Sequence, residues 1–122
     1  MIKHDTLTSD EIARIIKSGR PQKSRSLFVF AEPLGLKSGQ KRGKIAYIAP
    51  KRLGNAVCRN RSKRVLRAGI SLALSKEPNL LNVCDNNNII LMARADLKRV
   101  SSYQVAGELV QLLVKLEKGL SR

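Results

Sequence analysis

The sequence predicts an α/β layer structure made of one domain, residues 1–122, and three observations predict it. Apolar residues recur at helical spacing in three segments. Short β-branched or aromatic runs separate those segments in the order α-β-β-α-β-α. No linker or internal repeat divides the chain, and its 122 residues, 43% of them hydrophobic, suffice for a core without staples.

The first helix opens on Thr8-Ser9-Asp10-Glu11, a capping box in which Thr8 accepts from the backbone at the third helical position and Glu11 reaches back. Leu7 and Ile12 can form the hydrophobic staple. Ile12, Ile15 and Ile16 lie on one side, and Gly19, Arg20 and Pro21 stop the helix near Ser18. Residues 26–31 (SLFVFA) read as a strand with Leu27 and Val29 on one face and Phe28 and Phe30 on the other, so both faces are apolar. A Gly/Lys-rich loop over 33–43 leads to a second strand, 44–49 (KIAYIA), closed by Pro50. Asn55, a favoured N-cap, introduces a long helix from Ala56 to about Ser75, which ends at Glu77-Pro78. Residues 86–88 form a polar turn before a buried strand, 89–93 (IILMA). Ser101-x-x-Gln104 then caps a last helix whose Val105, Leu109, Leu112, Leu113 and Leu116 repeat as a core stripe.

Charge narrows the function. The chain carries 24 Lys+Arg against 9 Asp+Glu, a formal net charge of +15, which calls for a polyanionic partner. The distribution is sharper than the total: residues 33–76 contain twelve Lys or Arg and no Asp or Glu. Cys58 and Cys84 stand in unlike contexts without metal-ligand spacing and read as free thiols of a reducing cytoplasm. No apolar run approaches the ~20 residues of a membrane span, and the first seven residues have no signal-like core, so a cytoplasmic protein is expected.

The segment that carries function is Lys51-Arg52-Leu53-Gly54-Asn55-Ala56-Val57-Cys58-Arg59-Asn60-Arg61-Ser62-Lys63-Arg64-Val65-Leu66-Arg67. On a helix, Arg59, Lys63 and Arg67 stack at i, i+4 and i+8, flanked by Asn60 and Arg64. Val57, Val65, Ala68, Leu72 and Ala73 fall on the opposite side and are expected to dock on a sheet; Arg61 falls there too, without an account. Like charges four residues apart cost an isolated helix a few tenths of a kcal/mol per pair, roughly, and cations near the N-terminus oppose the helix dipole. A phosphate partner explains this arrangement better than a solvated surface does. Asn60, an amide between two arginines, suits a phosphate, a 2′-hydroxyl or a metal-bound water.

The segment resembles the signature of the ribonuclease P protein family, a Lys-Lys/Arg-x-Gly-x-Ala-Val element running into Arg-Asn-Arg-x-Lys-Arg-x-x-Arg, every position of which is present. The resemblance extends to the short helix ending at Gly19, the strand after Arg25, the strand 89–94 (IILMAR) and Tyr103 near the start of the closing helix. It implies an α+β two-layer sandwich, similar to some ribosomal proteins: a mixed sheet of about four strands, with the basic helix in a left-handed βαβ crossover. It implies a protein that binds a catalytic RNA and the 5′ leader of precursor tRNA while the RNA cuts the leader, one protein per RNA. Carried over residue by residue, Lys51, Arg52, Asn55, Arg59, Asn60, Arg61, Lys63, Arg64 and Arg67 become RNA-binding candidates, and Ile12, Ile16 and Phe30 line a leader-binding cleft between the first helix and the sheet.

The chain also departs from the family pattern. Ile12 and Ile16 stand where the family usually places Phe, so the first helix cannot stack on bases. Asp5, Thr6 and Thr8 replace basic residues, and Ala46 and Pro50 replace Gly and Ser. Phe28 is expected mainly as core, while for Phe30 core and cleft stay open. With aromatics at 3%, phosphate contact rather than stacking must carry affinity. No carboxylates gather to hold Mg²⁺, Asp85 and Asp96 stand alone, and His4 lacks a partner for acid-base work, so no catalytic or metal-binding residue is assigned and any Mg²⁺ is expected mainly on the RNA. A structural or ribosomal RNA-binding protein would share the charge. A helix-turn-helix DNA binder would need two adjacent helices where this chain has strand, loop and long helix.

Overall fold

The computed structural model describes residues 6–19, 21–35, 39, 40 and 42–120. The two chain ends, which the sequence reads as loose, lie outside them, as do His4, Asp5, Arg20 and part of the Gly/Lys-rich loop. Helix α1 (Ser9–Ser18) begins as the capping box requires: the Glu11 N–H donates to Thr8 Oγ1 at 3.2 Å and the Thr8 N–H to Glu11 Oε1 at 2.9 Å. That backbone donor, more than any other group, holds the Glu11 carboxyl below its ordinary value. Two-residue β1 (Gln22–Lys23), not anticipated, folds back antiparallel on β2 (Leu27–Pro33). Strand β3 (Ile45–Ile48) follows, then a 3-10 turn (Lys51–Leu53) and helix α2 (Ala56–Lys76). A second 3-10 turn (Pro78–Leu80) runs into α3 (Leu81–Asn86), β4 (Asn87–Ala93) and α4 (Ser102–Leu120).

The sheet order is β1-β2-β4-β3, with β4 antiparallel to β2 and parallel to β3. Mixed pairing follows from connectivity: β3 reaches β4 through α2, and such a parallel crossover needs a helix-sized connection. Alternation sorts side chains into two cores. Leu27, Val29, Ile45, Ile89, Leu91 and Ala93 meet the buried faces of α2, α3 and α4. Phe30, Ala46 and Ile90, one cross-strand row, lie under Leu7 and Ile15 on the other face. Of the four helices, α1 alone packs into this second core.

Two expectations need correction. Residues 86–88 are not a turn: Asn86 ends α3, and Asn87 and Asn88 begin β4, both buried. Their amides are used there, Asn87 Nδ2 donating to the Val83 carbonyl at 2.8 Å and Asn88 Oδ1 accepting from the Lys44 N–H at 3.0 Å. The buried residues of α2 are Ser62, Leu66, Gly69, Ile70 and Ala73, whereas Val57 and Ala68 are exposed and Val65 and Leu72 half-buried. Gly69 decides this orientation, because α4 crosses so closely that a Cβ there would run into the Val105 side chain. Cys58 and Cys84 are free thiols, as expected; burial pushes the Cys84 thiol up to about 12. No helix among the described residues is long and apolar enough to cross a membrane.

Glu108 of α4 ties the helical layer to the start of β2, accepting from the Ser26 N–H at 2.9 Å and the Ser26 hydroxyl at 2.8 Å. Burial alone would raise its carboxyl; hydrogen bonds from Ser24 and Ser26 outweigh burial and hold it below the ordinary 4.5. A carboxyl depressed on folding contributes stability that is fully present above that ordinary value and is lost as pH falls through the depressed one. Glu108→Gln is therefore expected to lower stability by ~1–3 kcal/mol at neutral pH. In urea unfolding series, the gap to wild type should close as the pH falls below 4.5.

Candidate nucleic-acid interface

The basic stripe lies along the outer edge of β3, and backbone contacts put it there. Asn55 caps α2, its Oδ1 accepting from the Cys58 N–H at 3.0 Å, and Gly54 supplies the positive φ of 128° that turns the chain into the helix. Arg59 Nε donates to the Ala49 carbonyl at 2.9 Å, and the Arg67 guanidinium sits 5.0 Å over the Tyr47 ring. Two of the three stacked cations are thus anchored to the strand, with Lys63 half-buried between them. Lys51, Arg52, Asn60 and Arg64 are exposed on the same segment. Arg59, Lys63, Arg64 and Arg67 form no ion pair among the described residues. A row of fixed cations with donor-rich heads and no ion-pair partner among the described residues is suited to phosphate.

Not every sequence-predicted residue joins that row. Asn55 lends its side-chain oxygen to the cap, leaving only its amide nitrogen for a ligand. Arg61 turns away, placing Nη2 3.4 Å from Asp96 Oδ1. Arg52 reaches sideways, its Nη2 donating to the Arg94 carbonyl at 3.0 Å.

On the other sheet face, Ile12 and Ile16 are half-buried over the row containing Phe30. Phe30 is only 7% exposed, packed under α1, while Phe28 is the more accessible aromatic. This reverses the expected ranking of the two rings. The cause is where α1 lies: it covers the Phe30-Ile90-Ala46 row and leaves the next row, Phe28-Met92-Ile48, partly open. Two ion pairs hold α1 at its end of the sheet. Arg14 grips Glu32 with bonds of 2.8 and 3.1 Å, and Lys44 stands 3.6 Å from Glu11. The Arg14 bond is the main reason that Glu32 lies below its ordinary value.

Arg94, which sequence reasoning did not single out, edges the open row. Its guanidinium lies 5.0 Å over the Phe28 ring, and Nη1 donates to the Ser24 carbonyl at 2.7 Å. Its signal was an arginine directly after the apolar strand. Because Arg52 binds the Arg94 backbone, the open end of the cleft and the start of the basic helix adjoin.

Carboxylates are committed elsewhere. Asp85 and Asp96 each pair with an arginine, Arg42 at 2.8 Å and Arg61 at 3.4 Å. Among the described residues no three His, Cys, Asp or Glu side chains gather where a metal ion could be held. The donors of this face are of the kind that can bind and orient an anion.

Comparison with known proteins agrees with this geometry. A family model described as Ribonuclease P matches residues 2–117. The ribonuclease P protein component of Shouchella clausii (strain KSM-K16) is 31% identical over 105 residues, 86% of this chain and 79% of that protein. The RNase P protein of Staphylococcus aureus superposes with a TM-score of 0.69 at 22% identity, covering 95% of this chain and 97% of that one. That of Thermotoga maritima gives 0.67 at 19% identity, covering 91% and 96%. The two structures establish the fold.

The cap of α2 is open to direct test. Asn55→Ala leaves the Cys58 N–H unpaired and is expected to cost ~1 kcal/mol in chemical denaturation, with Asn55→Ser close to wild type. Amide exchange of the first turn of α2 should quicken in the alanine variant alone.

Proposed function

This chain belongs to the ribonuclease P protein family, and on that premise we propose how its surfaces divide the work of maturing tRNA 5′ ends. The stripe Arg59-Lys63-Arg67, with Lys51, Arg52, Asn60 and Arg64, contacts the catalytic RNA. The cleft between α1 and the sheet takes the 5′ leader of precursor tRNA. The observation that carries this reading is the uncompensated row of cations fixed along the β3 edge.

Each step follows from the chain's own groups. The α2 cations neutralise RNA phosphates, releasing counterions and removing the like-charge repulsion that the free helix carries. The leader lies over Ile12, Ile16 and the Phe28-Met92-Ile48 row, so its bases meet aliphatic surface and a single accessible ring. Arg94 at the edge of that row offers charge to a passing phosphate. Among the described residues no cluster of donors suits a protein-held divalent ion, and we assign Mg²⁺, and with it the hydrolytic step, to the RNA. The protein acts in the cytoplasm, one copy per RNA, by binding substrate and screening charge.

The test is cleavage of a precursor tRNA by a bacterial ribonuclease P RNA at low Mg²⁺, with and without the protein. Wild type is expected to restore cleavage that the RNA alone has lost, and Arg59→Ala/Lys63→Ala/Arg67→Ala to lose at least tenfold of that stimulation. Wild-type protein that binds the RNA without stimulating cleavage would reduce the reading to a general RNA-binding protein.

A further inference from the structure

Arg61 lies within the basic segment yet faces away from the stripe. Its Nη2 is 3.4 Å from Asp96 Oδ1, and its Nε is buried with no hydrogen-bond partner among the described residues, where RNA cannot reach it. Asp96 in turn accepts from the Lys98 N–H at 3.0 Å, closing a turn. Two more contacts join the same turn to the same segment: Ser62 Oγ accepts from the Leu97 N–H at 3.2 Å, and Arg52 donates to the Arg94 carbonyl at 3.0 Å. Leu97 itself is buried at 1% exposure. Three grips on one short connection exceed what a solvent loop needs.

What the grips present is charge. Lys98 and Arg99 are exposed and form no ion pair among the described residues. Tyr103, 68% exposed in the first turn of α4, stands just beyond them with an open aromatic face. We propose that the β4–α4 connection is a second RNA-contacting element, in which Lys98 and Arg99 bind phosphates, and that Arg61 is a positioning residue that holds this connection on the basic helix through Asp96. RNA is the partner that fits because the patch adjoins the α2 segment and shares its sign. The inference rests on the RNA-binding reading of α2 given above.

Titration of a bacterial ribonuclease P RNA with the full chain at several salt concentrations tests it. Each phosphate contact contributes roughly 0.7–0.9 to the slope of log affinity against log salt. Lys98→Ala/Arg99→Ala should therefore flatten the slope by about 1.5, and wild type should lose roughly tenfold more affinity than the variant between 50 and 200 mM salt. Asp96→Ala removes a negative charge, so charge alone would tighten binding; positioning predicts weaker binding. Added to Lys98→Ala/Arg99→Ala, Arg61→Met should cost nothing further. An unchanged slope in Lys98→Ala/Arg99→Ala overturns the second element. Tighter binding by Asp96→Ala, or a further loss from Arg61→Met in that background, overturns the role of Arg61. Failure of the wild type to bind overturns the reading of α2 itself.

Discussion

Mutual repulsion along the N-terminal half of α2 is the constraint on which the rest of this structure depends. The helix carries five Lys or Arg between Arg59 and Arg67, at its dipole-positive end, with no carboxylate in residues 33–76 to offset them. Such a helix does not hold itself in place. It is held by burial of Ser62, Leu66, Gly69, Ile70 and Ala73, by the close crossing of α4 that Gly69 permits, by Arg59 donating to the Ala49 carbonyl just past β3, and by Arg67 lying over the Tyr47 ring of β3. The opposite face and the strand edge supply the stability that the charged face withholds.

The same constraint explains why so many polar side chains are tied to backbone. The Ala49, Arg94 and Ser24 carbonyls each accept from an arginine, and Asn55, Ser62 and Ser101 cap or catch N–H groups. Cations placed this way are ordered before any ligand arrives, which lowers the entropy lost when one binds. Strand β4 lies between β2 and β3, and its end carries Arg94 between the cleft and the basic segment. In the proposed function, a leader over Phe28 and a phosphate on α2 would meet at this one corner of the sheet.

Local chemistry was legible in the sequence, and long-range chemistry was not. The Thr8–Glu11 box, the Asn55 cap and the angular placement of Arg59, Lys63 and Arg67 depend on residues within a few positions of one another, and all are as the spacing predicts. The buried face of α2 was misplaced because Ser62 and Gly69, which a count of apolar residues passes over, are the points of close contact. Arg61 had no account because its partner Asp96 lies 35 residues away. Asn87 and Asn88 read as a turn because the carbonyl and N–H groups that satisfy them come from α3 and from the approach to β3. Strand β1 exists through its pairing with β2 and carries no signal of its own. Phe28 and Phe30 share a face, so only the position of α1 could say which is open.

The central claim is that the α2 face binds phosphates as a fixed array. Its most direct test is the salt dependence of affinity for a ribonuclease P RNA, compared between wild type and Arg59→Ala/Lys63→Ala/Arg67→Ala. The account predicts a steep wild-type slope, with about a thousandfold loss of affinity between 50 and 200 mM salt for about six contacts, and a slope shallower by about two in the variant. Equal slopes for the two proteins would contradict it.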